Sequence, residues 1–318
     1  MTNASFKLFL FILAFAPLAF GTVEHWSMMI VQVLTALALL LCLIGLRRAS
    51  EPLLKVPGLL PLALLLGLMV LQLVPLPPAF VKMISPATWE VYRPVFELSG
   101  GDFWMPLSVN QKATLQELLR ISTYALFYIL TIQVLRRGVR INRTLIFVAV
   151  LAAAIAFVAV LQQFSSNGLI YWFRPSPSSH PGGPWVNINQ YAAFMGAMCP
   201  LVLALLLYDP PASAEDESCR ERFVAFFSAP RSNLHLFLGF AFVLLAFSVF
   251  VSLCRGGIIT ILASMILFAL LYSYKRRTLG RATLWVALCL ALLAVSWFGW
   301  QPIIDEFDKA FDTSGVIR

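Results

Sequence analysis

Charge is what this chain of 318 residues has least of. Asp, Glu, Lys and Arg make up 12% of it, against about 25% in a soluble domain. Hydrophobic residues fill 60%, and the mean hydropathy is +0.85. That balance excludes a soluble globular enzyme and implies a polypeptide that crosses a membrane several times. Carboxylates are scarcest inside the apolar runs, where Glu117 is the nearest case. A proton- or ion-coupled transporter needs acidic groups or broken helices near the midplane. Their scarcity argues against a cation pump, though not against a carrier of a neutral solute. The five cysteines show no paired spacing, and four lie in or beside apolar runs, so they read as small hydrophobes rather than a disulfide framework or metal site. No Walker motif, H-E-x-x-H, cysteine cluster or G-x-S-x-G is present. The three histidines are His25, His180 and His235; each reads as a surface or interface residue, with His180 also a candidate for touching substrate. No internal repeat or low-complexity tract is visible. The net charge of +8 comes from basic residues spread over short loops, which suits a membrane orientation bias and not nucleic-acid binding.

Long apolar runs dominate what is present. Nine lie at about 5–23, 28–46, 57–76, 114–135, 144–164, 188–208, 234–253, 257–274 and 282–300. A bilayer core of about 30 Å takes roughly 20 helical residues to cross, and a backbone in lipid must satisfy its own hydrogen bonds. The expectation is an all-α polytopic membrane protein, with residues 1–318 as a single transmembrane helical domain of about nine spans. Every second loop is basic: Arg47, Arg48 and Lys55; Arg136, Arg137, Arg140 and Arg143; Arg220, Arg222 and Arg231; Lys275, Arg276, Arg277 and Arg281. Those loops are expected in the cytoplasm, together with the amino terminus and Lys7. The outward loops are then 77–113, 165–187, the tight turn at Arg255 and the tail after Trp300. The first run has a second reading as a signal peptide, because Ala19-Phe20-Gly21 resembles a small-residue cleavage site.

The outward loops carry the character. Segment 77–113 mixes prolines with Trp89, Tyr92 and Trp104, and its aromatics suit the headgroup layer, so part of it is expected to lie along the membrane surface. Segment 165–187 holds Tyr171, Trp172, Phe173, Arg174, His180 and Trp185, and the prolines and glycines from Pro175 to Pro184 exclude a regular helix there. Arg174 and His180 are its candidates for substrate contact. Segment 209–233, with Glu215-Asp216-Glu217 against Arg220 and Arg222, reads as a solvated connector.

Two constellations could bear chemistry. Asn187-Ile188-Asn189-Gln190 opens the sixth run. Asparagine there caps a helix, and a helix amino terminus is also a ready anion site; both readings stand together. The second is Ser252-Leu253-Cys254-Arg255-Gly256-Gly257, between two apolar runs. An arginine beside hydrocarbon is costly and therefore functional by default. Gly256 and Gly257 remove bulk beside it, which lets backbone or ligand approach. Such an arginine suits a phosphate group; the plain alternative is a side chain reaching to lipid headgroups.

These residues resemble the bacterial O-antigen ligase and polymerase superfamily of membrane glycosyltransferases. The resemblance rests on Pro106-Leu107-Ser108-Val109-Asn110 through Thr114, on Val186 to Ala192 as the family's N-x-N-x-x-A helix start, and on Ser252 to Gly257 as its S-x-S-R-G-G signature, with Cys254 replacing the second serine. It covers about residue 50 to the end. It implies a GT-C-like helical bundle in the bacterial inner membrane. The implied reaction transfers a glycan from an undecaprenyl-pyrophosphate carrier to a glycan, lipid A core or protein acceptor at the periplasmic face, without a metal or other cofactor. Within it Arg255 and Arg318 are expected to bind the pyrophosphate, with Asn187, Asn189, Gly256 and Gly257 around the donor. The chain departs from the family pattern in two ways. It ends at Arg318, where a large outer loop should continue, and no histidine matches the family's acceptor-activating one. An amino-terminal portion is therefore expected, able to bind a polyprenyl diphosphate but poor at transfer. The reading from another class is a small-solute transporter or a membrane scaffold.

Overall fold

Apolar sequence closes its backbone hydrogen bonds locally, and the result here is helix. The computed structural model describes residues 3–101, 103–176, 182–208 and 232–275. In chain order these form α1 (Asn3–Leu18), α2 (His25–Arg48), α3 (Leu59–Leu73), α4 (Pro78–Ile84), α5 (Pro86–Leu98), α6 (Gln111–Val134), α7 (Gly138–Ser165), α8 (Ile188–Tyr208), α9 (Ser232–Val251) and α10 (Arg255–Lys275). Strands β1 (Leu169–Ile170) and β2 (Arg174–Pro175) make one short antiparallel ribbon between α7 and α8, with Ile170 opposite Arg174.

Among the described residues, five helices are long and apolar enough to cross a membrane: α2, α7, α8, α9 and Arg255–Tyr272 of α10. The molecule is thus a helical membrane protein. Two more helices, α1 and α3, are apolar but shorter; the 15 residues of α3 give a rod of about 22 Å at 1.5 Å per residue. The run expected at 114–135 is α6, which carries Glu117 and Arg120 as an exposed ion pair at 3.4 Å. Eight of the nine expected runs are therefore helical, and the ninth, 282–300, lies outside the described residues.

The chain gathers into two compact units, one from the described residues of Met1–Ile12 and His25–Arg140, the other from those of Leu13–Glu24 and Ile141–Arg318. In the first, α6 packs on α2 and α3. Phe9 stacks on Phe127 at 5.3 Å, and the Ser5 hydroxyl donates to the Ala38 carbonyl at 2.9 Å. The extended stretch between α2 and α3 is stapled to the end of α6. Gln133, almost wholly buried, donates to the Leu54 carbonyl at 2.9 Å and accepts its N–H at 3.0 Å. Glu51 takes Arg136 at 2.6 Å and Arg137 at 3.0 Å. These side chains meet the backbone groups that an irregular stretch leaves unpaired.

In the second unit α8 lies against both α9 and α10. Small side chains allow close approach: α7 buries Ala149, Ala152, Ala153, Ala156 and Ala159. Gly257 and Thr260 of α10 meet Ala192 and Gly196 of α8. Close packing through small residues is how membrane helices associate where lipid offers no hydrophobic drive.

Candidate functional site

The site is built at the starts of α8 and α10. Asn187 caps α8: its Oδ1 accepts the Asn189 N–H at 2.9 Å, and its carbonyl accepts from Gln190 at 3.1 Å and Tyr191 at 3.3 Å. The cap reading is therefore realised. Helix α9 ends at Val251, and the chain reverses within three residues, with Leu253 at φ 53°. The Ser252 hydroxyl donates to the Val249 carbonyl at 2.7 Å and accepts the Cys254 N–H at 3.4 Å. Cys254 then opens α10, its carbonyl accepting the Ile258 N–H at 2.9 Å. Arg255, Gly256 and Gly257 thus form the first turn, whose N–H groups have no partner within the helix.

The two motifs, 65 residues apart, are in contact. The Cys254 thiol donates to Asn189 Oδ1 at 3.1 Å. One turn deeper, a Cβ on Gly257 would fall 2.4 Å from that of Ala192, so only glycine permits this approach of α10 to α8. Gly256 differs: a Cβ there would meet nothing within 4 Å, and the residue is exposed. The notch expected from the glycine pair is thus one helix contact and one open flank. Arg255, between Cys254 and that flank, is half-buried. Its Nη1 is sealed from solvent and has no hydrogen-bond partner among the described residues. A buried charged donor left unmade is costly, and two helix starts beside it add partial positive charge.

The ribbon is held to this region by Gln162, which sequence reasoning passed over, and by Trp185. Gln162, on the last turns of α7 and fully buried, donates to the Gly183 carbonyl at 2.9 Å and accepts the Tyr171 N–H. Trp185 packs edge-on to Tyr191 at 5.8 Å and against Phe194 at 5.0 Å. Gly21, at φ 66°, lies against the Trp185 ring, where a Cβ would overlap it. The signal was available in an amide inside an apolar run, which only a hydrogen-bonded role explains.

Arg174 is placed elsewhere. It pairs with Glu24 at 2.5 Å and lies over the Phe20 ring at 4.7 Å. The structure thus brings Asn187, Asn189, Arg255, Gly256 and Gly257 together and gives Arg174 a separate ion pair. His180 and Arg318 lie outside the described residues. Tyr171 donates to the Leu18 carbonyl at 2.8 Å, and burial pushes its phenol up to about 12. Among the described residues no group of three or more His, Cys, Asp or Glu could hold a metal ion. No family model matches the chain, and neither a curated relative nor a similar solved structure is found.

Proposed function

We propose that this protein is an O-antigen ligase-like glycosyltransferase of the bacterial inner membrane, with about nine spans, a cytoplasmic amino terminus and a periplasmic active face. It moves a glycan from an undecaprenyl-pyrophosphate carrier to an acceptor hydroxyl on a glycan, a lipid A core or a protein. The observation that carries the reading is the unpartnered, solvent-sealed Nη1 of Arg255 beside two helix starts. That arrangement is suited to an anion with several oxygens.

In the reaction the acceptor oxygen bonds to the anomeric carbon as the bond from that carbon to the pyrophosphate breaks. The electron pair leaves with the pyrophosphate, and the acceptor proton passes to a base. Arg255 and the first-turn N–H groups of α10 oppose the charge that grows on the leaving oxygen, the kind of preorganised electrostatic stabilisation that contributes most when water is excluded. Asn189 holds the α10 start through Cys254, and the open flank at Gly256 leaves room for the donor. Arg318 supplies a second cation to the pyrophosphate, as the family resemblance implies.

The test is glycan transfer by the full-length protein with a lipid-linked donor. Arg255→Ala is expected to abolish most turnover, and Arg255→Lys to impair it substantially, because lysine keeps the charge and loses the planar fork. Wild-type transfer by Arg255→Ala would overturn the assignment. Uptake of a small solute by reconstituted protein that has no transferase activity would favour a carrier.

A further inference from the structure

We propose that α4 and α5 form an in-plane anchor, seated in the headgroup–acyl boundary of the leaflet where α3 ends and α6 begins. The argument starts from the three faces of α5. At about 100° per residue, Thr88, Trp89, Tyr92 and Phe96 share one sector, and the structure uses it for packing. The Thr88 hydroxyl donates to the Leu107 carbonyl at 3.2 Å, and the Tyr92 hydroxyl to the Ser108 carbonyl at 2.9 Å. Trp89 meets Phe96 edge-on at 5.1 Å. A second sector is Glu90, Arg93 and Glu97, all exposed, with Arg93 and Glu97 ion-paired at 2.7 Å. The third is Val91, Val95 and Leu98, apolar and yet 56%, 50% and 89% exposed. Helix α4 adds Phe80, Met83 and Ile84, also exposed.

The position of this surface selects its occupant. The segment is tied level with the ends of two apolar-packed helices. Leu76 and Met105 exchange backbone hydrogen bonds at 2.9 and 3.1 Å, and the Ser108 N–H donates to the Gln72 carbonyl at 3.0 Å in the last turn of α3. The Ser108 hydroxyl also pairs with Thr114 of α6 at 2.7 Å. Helix α3 has no buried residue, and its Leu60, Leu64 and Leu68 are all exposed. In a membrane protein acyl chains cover such a face, and the bare stripe of α5 belongs to a segment hydrogen-bonded to the end of the same helix. A helix with an apolar stripe and a charged row on separate faces is the form that lies in the interface plane. The geometry therefore points Val91, Val95 and Leu98 toward acyl chains and the Glu90–Arg93–Glu97 row toward water.

Photocrosslinking of the full-length protein in vesicles of phosphatidylethanolamine and phosphatidylglycerol tests this. Two photoactivatable variants, with a diazirine amino acid replacing Val95 or Arg93, compare the two faces. The Val95 position is expected to capture phospholipid several-fold more than the Arg93 position. Equal capture at the two, or capture of water at both, would overturn the anchor, and so would a covalent dimer through Val95. As a second arm without substitutions, a phospholipid with an acyl-chain diazirine should label the peptide spanning Pro86–Leu98; its absence among the labelled peptides would also overturn the proposal.

Discussion

The Cys254 thiol donates to Asn189 Oδ1 at 3.1 Å, and this bond joins the starts of two helices. A thiol is a weak donor. Cys254→Ser supplies a stronger hydroxyl donor in nearly the same place, so it is expected to retain the contact, the thermal midpoint in detergent and the rate of the proposed transfer. Cys254→Ala removes the donor and leaves Asn189 Oδ1 without it. A loss of about 0.5 kcal/mol is expected, the low end of the net worth of one hydrogen bond, because the donor is a thiol. Paired thermal unfolding and turnover measurements on the two variants check this; an alanine variant matching wild type in both would show the bond to be incidental.

The two neighbouring glycines should respond in opposite ways. At Gly257 a methyl group would overlap Ala192, and forcing extra bulk into a packed contact costs about 1–3 kcal/mol. Gly257→Ala is expected to lower the unfolding midpoint and to move α10 away from α8. At Gly256 the methyl would enter open space, and alanine is favoured over glycine in a helix by about 0.8–1.0 kcal/mol. Gly256→Ala should therefore leave stability unchanged or raised. If it also weakens binding of the proposed polyprenyl-diphosphate donor, that flank is part of the proposed site; unfolding midpoints and affinity for that donor separate the two effects.

Gln162 is the pin of the ribbon, through the Gly183 carbonyl and the Tyr171 N–H. Gln162→Leu keeps the volume and deprives both backbone groups of their partner. Each such loss costs about 1–3 kcal/mol where the group stays buried. The expected readout is faster amide exchange at Tyr171 and a lowered thermal midpoint. Exchange at Tyr171 equal to wild type would show that the backbone is held by other means.

Burial holds the Tyr171 phenol up to about 12, against about 10 for a free side chain. Its folded-state value is raised, so its contribution to stability is complete below about pH 10 and fades as pH climbs through about 12. Ultraviolet titration of wild type against Tyr171→Phe should show the missing tyrosine as a late-ionising one. A difference spectrum centred near pH 10 would mean that the phenol is open to water and the Leu18 bond is not maintained.

Much of the architecture was legible in the sequence, and the reason is solvent. A low-charge chain in lipid has no alternative to helix, so the apolar runs marked eight helices directly, and the asparagine before the sixth run marked its cap. The break at Arg255 was equally plain, because a charge and two glycines cannot continue hydrocarbon unnoticed. What periodicity could not supply was depth and partnership. The 77–113 segment read as a surface loop, and its two helices depend on contacts such as Thr88 to Leu107 and Tyr92 to Ser108. The meeting of Asn189 with Cys254, the division of labour between Gly256 and Gly257, and the commitment of Arg174 to Glu24 are likewise long-range facts. The sequence alone determined that the chain is helical and membrane-borne and where its reactive-looking residues stand along it. Only tertiary packing decided which of them touch, because local propensity acts over a few residues while helix contacts join positions scores of residues apart.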